Sequence, residues 1–295
     1  MTPATLPSMR LRRVFAVLLL APMVVALKLG ASDADSVEWP IPEFAEPSGI
    51  VYHPAHKSLF IVGDEGDIGE VSLDGQLLRQ AHLGGDLEGV TVDPSTGHLY
   101  VAREGHEVIF EVRADDFKLL RRFTVDRSFQ GDPNYLKRGG DGIEGITFVP
   151  DAADPEGGKL WAVNQYDPPV LIRLGVALRT SSEKFQSARI EQAVPVDSAP
   201  LSGVTWNAAS REFFVVSALW RKTVVVDASG KTLRAVRIPG FMPEGMTRLP
   251  DGRFVIAQDS GGLLLWSPAS DPFRGEVDAG PPVPTSPASP DNENP

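Results

Sequence analysis

Short apolar runs separated by polar turns recur through the middle of this sequence. Each repeat opens with a small or acidic residue, a glycine and an aliphatic residue, and continues through a polar turn into a second apolar run. Runs of about five apolar residues bounded by turn residues are typical of β-strands. The opening signal occurs five times, at Ser48-Gly49-Ile50, Glu88-Gly89-Val90, Glu144-Gly145-Ile146, Ser202-Gly203-Val204 and Glu244-Gly245-Met246.

Each repeat has room for four strands, because two more apolar runs follow the first two, as at residues 108–112 and 118–123. A unit of four antiparallel strands is typical of a β-propeller blade. The motif glycines are separated by 40, 56, 58 and 42 residues, so two units have the usual blade length and two carry insertions. The pattern predicts an all-β fold, a five-bladed β-propeller of four-stranded blades.

The last repeat has only three strands before the sequence becomes rich in proline. Residues 37–41 offer the missing outer strand. Pro40 and Pro42 fit this position, because proline is tolerated at the edge of a sheet but not in a central strand. We therefore expect an N-terminal strand to close the ring, with the propeller spanning residues 37–275.

The two ends of the chain differ in composition from the repeats. Residues 1–30 contain a basic stretch at positions 10–13 and then an apolar run of 14 residues, 14–27, which predicts an apolar helix serving as a secretory signal peptide or a membrane anchor. Either reading places the rest of the chain outside the cytoplasm, in the periplasm or anchored in the inner membrane, with membrane contact only through this segment. Residues 279–295 contain six prolines and are expected to form a disordered tail.

Charge excludes some functions. The chain has a formal net charge of −11; residues 1–30 hold four of the 28 basic residues and no acidic one, so the remainder carries 24 basic and 39 acidic residues, a net −15. Such a surface repels phosphates, and we expect no nucleic-acid partner. The absence of cysteine excludes disulfides, thiolate zinc sites and cysteine nucleophiles.

Several acidic residues occupy positions that the predicted fold brings close together. Because the first two strands of a blade are antiparallel, the start of the first and the end of the second lie at the same end of the sheet. None of the ten residues at these positions is Lys, Arg or His. They are Ser48, Glu88, Glu144, Ser202 and Glu244 from the first strands, and Asp64, Glu104, Asn164, Ser217 and Asp259 from the second.

Oxygen ligands that include several carboxylates suit a hard cation such as Ca²⁺ better than zinc or copper. We expect Glu88, Glu144 and Glu244 to bind the ion directly at one mouth of the central channel. The outer or water-mediated partners would be Ser48, Asp64, Glu104, Asn164, Ser202 and Asp259. In the alternative reading, each glutamate before a glycine serves only a turn, by accepting hydrogen bonds from nearby backbone amides.

Residues 127–141 form one of the insertions. They connect the outer strand of one predicted blade to the first strand of the next and so lie over the same mouth. Two readings are open, a cover for a ligand and a surface loop without a role.

The repeated Glu-Gly signal resembles the SdiA-regulated family of bacterial propeller proteins over residues 37–270. The residues that carry the resemblance are Glu46-Pro47-Ser48-Gly49-Ile50 with Gly63-Asp64-Glu65, Asp86-Leu87-Glu88-Gly89-Val90, Gly142-Ile143-Glu144-Gly145-Ile146 and Pro243-Glu244-Gly245-Met246. The resemblance implies a five-bladed propeller behind an N-terminal membrane segment, with a calcium site and no established enzymatic activity.

A more distant similarity links the pattern to NHL-repeat propellers and to gluconolactonase and senescence marker proteins. The last two are six-bladed lactonases in which the residue before such a glycine binds the metal. This similarity supports Glu88, Glu144 and Glu244 as ligands. The blade count differs, and no matched set of substrate-binding residues is present.

Two functions are compatible with these features. The first is a calcium-binding propeller that acts as an extracytoplasmic binding or interaction module, with a protein or small-molecule ligand at the channel mouth. The second is a calcium-dependent hydrolase of lactones or phosphate esters, in which Glu104 or Asp259 is the candidate base that activates water.

Overall fold

A computed structural model of the chain describes residues 35–138 and 142–273. The chain divides into two units, Met1–Gly30 and Ala31–Pro295. The predictions for residues 1–30 and 279–295 fall outside the described residues. Within the described ranges the regular structure is β-strand, which confirms the all-β prediction, and no helix there is long and apolar enough to cross a membrane.

Nineteen of the strands form five antiparallel sets that follow one another along the chain. The first set contains β2 (Pro47–His53), β3 (Ser58–Gly63), β4 (Asp67–Val71) and β5 (Leu77–His82). The second contains β6 (Leu87–Val92), β7 (His98–Arg103), β8 (Val108–Arg113) and β9 (Leu119–Val125). The third contains β10 (Ile143–Pro150), β11 (Gly158–Asn164), β12 (Val170–Gly175) and β13 (Phe185–Pro195). The fourth contains β14 (Gly203–Asn207), β15 (Glu212–Ser217), β16 (Lys222–Asp227) and β17 (Thr232–Arg237). The fifth contains β18 (Pro243–Arg248), β19 (Phe254–Gln258) and β20 (Leu263–Trp266).

The first strand of the described chain completes the fifth set. β1 (Ser36–Trp39) pairs antiparallel with β20, from Ser36 opposite Trp266 to Trp39 opposite Leu263. The expected closure by an N-terminal strand is confirmed, but the strand ends at Trp39. Pro40 and Pro42 lie in the segment that follows the strand and not at the sheet edge. In this segment a residue without an N–H costs no hydrogen bond between strands.

Two of the sets are joined by a pairing that the sequence did not predict. β13, the outer strand of the third set, runs parallel to β9, the outer strand of the second, from Phe185 opposite Arg122 to Ala188 opposite Val125. The two sets thereby form one sheet of eight strands. The insertion after β12 supplies the length of chain that this contact needs, because β13 has 11 residues and extends beyond its own set.

The first strands of the sets, which we call the axial strands (β2, β6, β10, β14 and β18), contact one another in a closed cycle in which β18 returns to β2. At the motif glycines the backbones are so close that a Cβ atom would collide. A Cβ on Gly49 would lie 2.8 Å from the Cα of Gly89, one on Gly89 2.8 Å from the Cα of Gly145, and one on Gly145 2.7 Å from the Cα of Gly203. The cycle closes at Gly245, whose Cβ would lie 3.2 Å from the Cα of Gly49. Each motif residue is therefore a glycine because a neighbouring backbone occupies the space of a side chain.

The hydrophobic core is arranged in the same closed cycle of strand sets. Five clusters of buried apolar side chains lie between consecutive sets, and the last one joins the fifth set to the first through residues such as Leu263 and Ile61. Strands buried on both faces contain continuous apolar runs, as β3 does over residues 59–62. The outer strand β5 alternates half-buried and exposed residues, as expected at the edge of the structure.

Replacing Gly89 with alanine tests the axial contact. The added Cβ would lie 2.7 Å from the backbone nitrogen of Ile146, an atom that cannot move without shifting β10. We expect Gly89→Ala to lower the free energy of unfolding by at least about 2 kcal/mol in a urea titration. Gly105→Asn is the control, because a Cβ there meets nothing within 4 Å and asparagine tolerates its positive φ. Equal stability of the two variants would contradict the close approach.

Candidate metal centre

The acidic residues before the motif glycines meet at one end of the axial strands. A cavity of about 270 Å³ lies there. Its described lining consists of Ser48, Asp64, Asp86, Glu88, Glu104, Glu144, Gln165, Glu244 and Asp259. The structure thus brings together all three predicted ligands and four of the six predicted outer partners.

The remaining two predicted partners are not among the lining residues that the structure describes. Asn164 is buried, and its amide nitrogen donates a hydrogen bond to the backbone oxygen of Pro168 at 2.9 Å. Ser202 is also buried, and its hydroxyl donates to the backbone oxygen of Pro243 at 3.2 Å. Both side chains donate to the backbone beside the cavity, and the Ser202 hydroxyl also lies within hydrogen-bond reach of the Glu244 carboxylate.

Gln165 takes the place in the cavity that we expected for Asn164. The backbone N–H of Gln165 donates to the oxygen of Gly142, just as the N–H of Glu104 donates to Asp86 in the second set. Gln165 is therefore the structural equivalent of Glu104. The prediction of Asn164 was wrong by one residue along the second strand of the third repeat. A shift of one residue along a strand moves a side chain to the opposite face.

Asp86 is the second lining residue that sequence reasoning missed. It lies two residues before Glu88, and alternate residues of an extended segment point to the same side. That spacing was visible in the motif Asp86-Leu87-Glu88. One carboxylate oxygen of Asp86, Oδ1, is buried without a hydrogen-bond partner.

The lining carries seven carboxylates and, among the described residues, no Lys, Arg or His. In two groups of three the carboxylate oxygens lie within 4.8 Å of one another. One group is Asp64, Asp86 and Glu88, and the other is Glu88, Glu104 and Glu144. Glu88 belongs to both groups, whereas Glu244 lines the cavity outside them.

The two central glutamates are deeply buried. Glu88 is 8% exposed and Glu144 6%, and neither carboxylate has a hydrogen bond or an ion pair to any other residue of the described ranges. Burial raises the pKa of Glu88 well above its ordinary range, and the charge of Glu144 raises it further. For the pKa of Glu144, burial is again the largest cause and the charge of Glu104 the next. No residue of the described ranges compensates these charges.

The pKa values of two further carboxyl groups are also raised. Burial raises the pKa of Glu244 to about 8, with a further contribution from Asp259, while a hydrogen bond from Ser202 opposes the shift. Burial raises the pKa of Asp64 to about 6, against a hydrogen bond that the Ser48 hydroxyl donates to it. Both shifts disfavour the ionised forms, so the cavity resists holding several negative charges without a cation.

The lining fits a hard cation. Ca²⁺ takes about six to eight oxygen ligands, and the cavity offers carboxylates, the Ser48 hydroxyl and the Gln165 side chain. A zinc site would more often include histidine or cysteine, and the described lining has neither. The unpartnered oxygen of Asp86 and the buried Glu88 carboxylate are the donors that an ion would satisfy.

The insertion that follows β9 is attached to the core. Leu136 is fully buried, and Phe129 and Tyr135 pack on each other and against the same apolar cluster. The Arg127 guanidinium forms an ion pair with the buried carboxylate of Glu107. The described part of the insertion is therefore a packed loop, and after its last residues the N–H of Gly142 donates to the Glu104 carboxylate at 3.1 Å.

The four-stranded sets around a common axis, with an acidic cavity at one end, define the chain as a β-propeller with a candidate metal centre. Among solved structures, glutaminyl cyclase from Myxococcus xanthus aligns with a TM-score of 0.56 and 15% identity, covering 78% of this chain and 93% of that chain. Hydrazine synthase from Kuenenia stuttgartiensis aligns with a TM-score of 0.45 and 13% identity, over 72% and 56% of the two chains. Virginiamycin B lyase from Staphylococcus aureus aligns with a TM-score of 0.44 and 14% identity, over 80% and 74%.

Two family models match different parts of the sequence. The model of the SdiA-regulated family matches residues 178–266, which confirms the resemblance to that family, and the match includes the signal at Glu244-Gly245. A second model, described as phytase-like with an esterase-like activity of phytase, matches residues 42–168. No curated protein matches the sequence. Residues 178–266 are thus similar to SdiA-regulated proteins, and the phytase-like match over residues 42–168 is a similarity that the motifs alone did not suggest.

The pKa shifts predict how pH acts on the metal-free protein. Between the ordinary value of 4.5 and the raised pKa of about 8, the native protein keeps a proton on Glu244 that the unfolded chain releases. Raising the pH through this window therefore favours unfolding, by at most about 1.4 kcal/mol per pH unit for each such group. Urea unfolding in the presence of a chelator should show stability falling as the pH rises.

Glu244→Gln should reduce the slope of that pH dependence, because the amide does not titrate. Glu183→Gln, a change at an exposed residue, is the matched control and should leave the slope unaltered. Stability of the metal-free protein that stays level or increases across this window would contradict the assignment.

Proposed function

We propose that this protein is an exported calcium-binding five-bladed β-propeller that acts as a binding or interaction module, with the ion held at the acidic mouth of the channel. The five four-stranded sets would be the blades. Two observations support this count. The motif glycines form a cycle of five, and the five clusters of buried apolar side chains between consecutive sets also lead from the last set back to the first.

The observation that carries the calcium proposal is the pair of buried carboxylates of Glu88 and Glu144, which form no hydrogen bond or ion pair with another described residue. A buried charge is strongly unfavourable unless it is paired or coordinates a metal. The carboxylate oxygens of Glu104 lie within 4.8 Å of both, so one cation can contact all three side chains. We propose Asp64 and Asp86 as a second group of ligands around Glu88, and Glu244 and Asp259 as outer partners.

The lining favours binding over catalysis. The hydroxyl of Ser48, a candidate nucleophile on the described lining, is engaged with Asp64, and the remaining described lining consists of carboxylates and Gln165, which suit a cation. We propose that the partner is a protein or small molecule that contacts the ion or the carboxylates at the mouth. Export would follow from residues 1–30, acting as a signal peptide or as an anchor in the inner membrane.

Replacing a proposed ligand tests the calcium site. Glu144→Gln preserves shape and removes one buried charge, so we expect the affinity for Ca²⁺ to fall roughly tenfold or more in calorimetric titration of the chelator-treated protein. The rise in melting temperature that Ca²⁺ produces should shrink in parallel, because a ligand stabilises the native state by mass action. Glu183→Gln changes the formal charge equally and should bind Ca²⁺ as the parent does. Unchanged affinity of Glu144→Gln would overturn the site.

The alternative is a calcium-dependent hydrolase of phosphate esters or lactones. The phytase-like match favours the phosphate esters, because its residues 42–168 include Asp64, Glu88, Glu104 and Glu144. A bound cation supplies polarisation of the ester oxygen. Asp259 or Glu104 would accept the proton of the attacking water.

A turnover assay separates the two functions. The Ca²⁺-loaded protein is tested on p-nitrophenyl phosphate and on a panel of lactones, before and after chelation. A hydrolase loses its turnover on chelation, and Asp259→Asn lowers kcat by about a hundredfold or more while retaining Ca²⁺ affinity, since Asp259 lies outside both groups of close carboxylates. A fully metallated protein that is inert on all substrates supports the binding module.

A further inference from the structure

A second cavity, of about 480 Å³, lies at the opposite end of the axial strands. Its lining residues, such as Tyr52, Thr91 and Trp206, belong to the last part of the axial strands and to the turns that follow them. Its size lies within the range of about 300–1,000 Å³ typical of small-molecule sites. The proposed calcium function makes no use of this cavity.

The second cavity is separated from the acidic mouth. Between them, at the motif glycines, the channel narrows to a space of about 10 Å³, which is no more than a single water molecule needs. A ligand in the second cavity therefore cannot contact the carboxylates of Glu88 or Glu144. Occupancy of the two ends should be independent.

Threonines line the inner part of the second cavity. Four of the five axial strands carry a threonine two residues after the motif glycine, and the fifth carries Val51. The hydroxyl oxygens of three of them accept a hydrogen bond from the backbone of the next set. These bonds run from Phe148 to Thr91 at 3.0 Å, from Trp206 to Thr147 at 2.9 Å and from Tyr52 to Thr247 at 3.1 Å.

Each of these three hydroxyls retains its own hydrogen for donation, because its oxygen is the acceptor in the contact with the next set. Thr91, Thr147 and Thr247 are each 5% exposed, so the hydroxyls are held in place by burial and by the backbone. Thr205 differs, since its hydroxyl already donates to the backbone oxygen of Met246. The cavity thus presents three positioned O–H donors.

The second cavity lacks the acidic lining of the first. Arg248 is on its lining, and no Asp or Glu is among the lining residues that the structure describes. The Arg248 guanidinium forms an ion pair with Asp271 at 2.8 Å, which leaves further N–H donors on the same group. The other walls are mostly apolar and include the rings of Tyr52, Phe148 and Trp206.

We propose that this second mouth, which we call the threonine mouth, is a binding site for a small aromatic anion. The rings of such a ligand pack against Trp206 and Tyr52, and its carboxylate or sulfonate accepts hydrogen bonds from the threonine hydroxyls and Arg248. Apolar walls with a few convergent donors match this class of ligand. A cation is disfavoured because the lining offers donors and a positive charge.

Two fluorescent probes with the same rings test the proposal on the full chain. 8-Anilinonaphthalene-1-sulfonate carries an anionic acceptor, and N-phenyl-1-naphthylamine lacks it. We expect the sulfonate to bind one molecule per chain, with energy transfer from tryptophan, and to bind more tightly than the uncharged probe. The affinity for the sulfonate should be the same with Ca²⁺ and with chelator. Equal affinities for the two probes would overturn the proposed role of the donors.

A variant that blocks the cavity tests whether the probe binds there. Ala208 is an exposed residue of the lining, and Ala208→Trp fills the opening without touching the core. This variant should lose sulfonate binding, whereas Ala152→Trp, at an exposed turn away from the lining, should retain it. Binding that persists in Ala208→Trp at the parent affinity would place the probe elsewhere and overturn the site.

Removing one hydroxyl tests the donors directly. Thr147→Val is nearly isosteric, and Val51 shows that this chain accommodates valine at the equivalent axial position. We expect Thr147→Val to weaken sulfonate binding about two- to tenfold, as for the loss of one hydrogen bond, and to leave the uncharged probe unaffected. Thr147→Ser retains the hydroxyl and should bind as the parent does. Equal sulfonate affinity in the valine and serine variants would contradict the assignment.

Discussion

Five glycine backbones approach one another closely at the axis, and this contact holds the five sets of strands together. A Cβ on Gly89 would lie 2.7 Å from the backbone nitrogen of Ile146, so no side chain fits between neighbouring axial strands at this level. The residue before each glycine is then held next to the axis. Three of these five residues are glutamates, and the acidic cavity is therefore a consequence of how the core is closed.

Closing the core in this way concentrates negative charge in a place that water reaches poorly. Burial raises the pKa values of Glu88, Glu144 and Glu244, which means that the ionised cavity opposes folding unless something neutralises it. A cation at this position would stabilise the native state by mass action, so metal binding and stability are expected to be linked. The same glycines narrow the channel to about 10 Å³, which lets its two ends differ in charge.

The sequence pattern was informative where it repeats and misleading where one repeat departs from the others. The spacing of the signals predicted the axial strands and the closure by β1. It placed Asn164 at the cavity, although the backbone hydrogen bond from Gln165 to Gly142 puts Gln165 there. The register between β10 and β11 decides this, and a shift of one residue is invisible in an apolar run. The parallel contact of β13 with β9 was likewise not predictable, because it joins residues from two different sets.

The all-β class, the five recurring glycines and the acidic character of the residues beside them can be predicted from the sequence, because strand patterning and turn chemistry are local. The candidate ligands, which are all oxygen donors, likewise favour a hard cation. The folded structure is needed to see which carboxylates come within 4.8 Å of one another, that Asp86 and Gln165 join them, and that the far ends of the axial strands enclose a second cavity. These features depend on distances between segments that are well separated in the sequence, such as Glu88 and Glu144, which are 56 residues apart, and packing sets those distances.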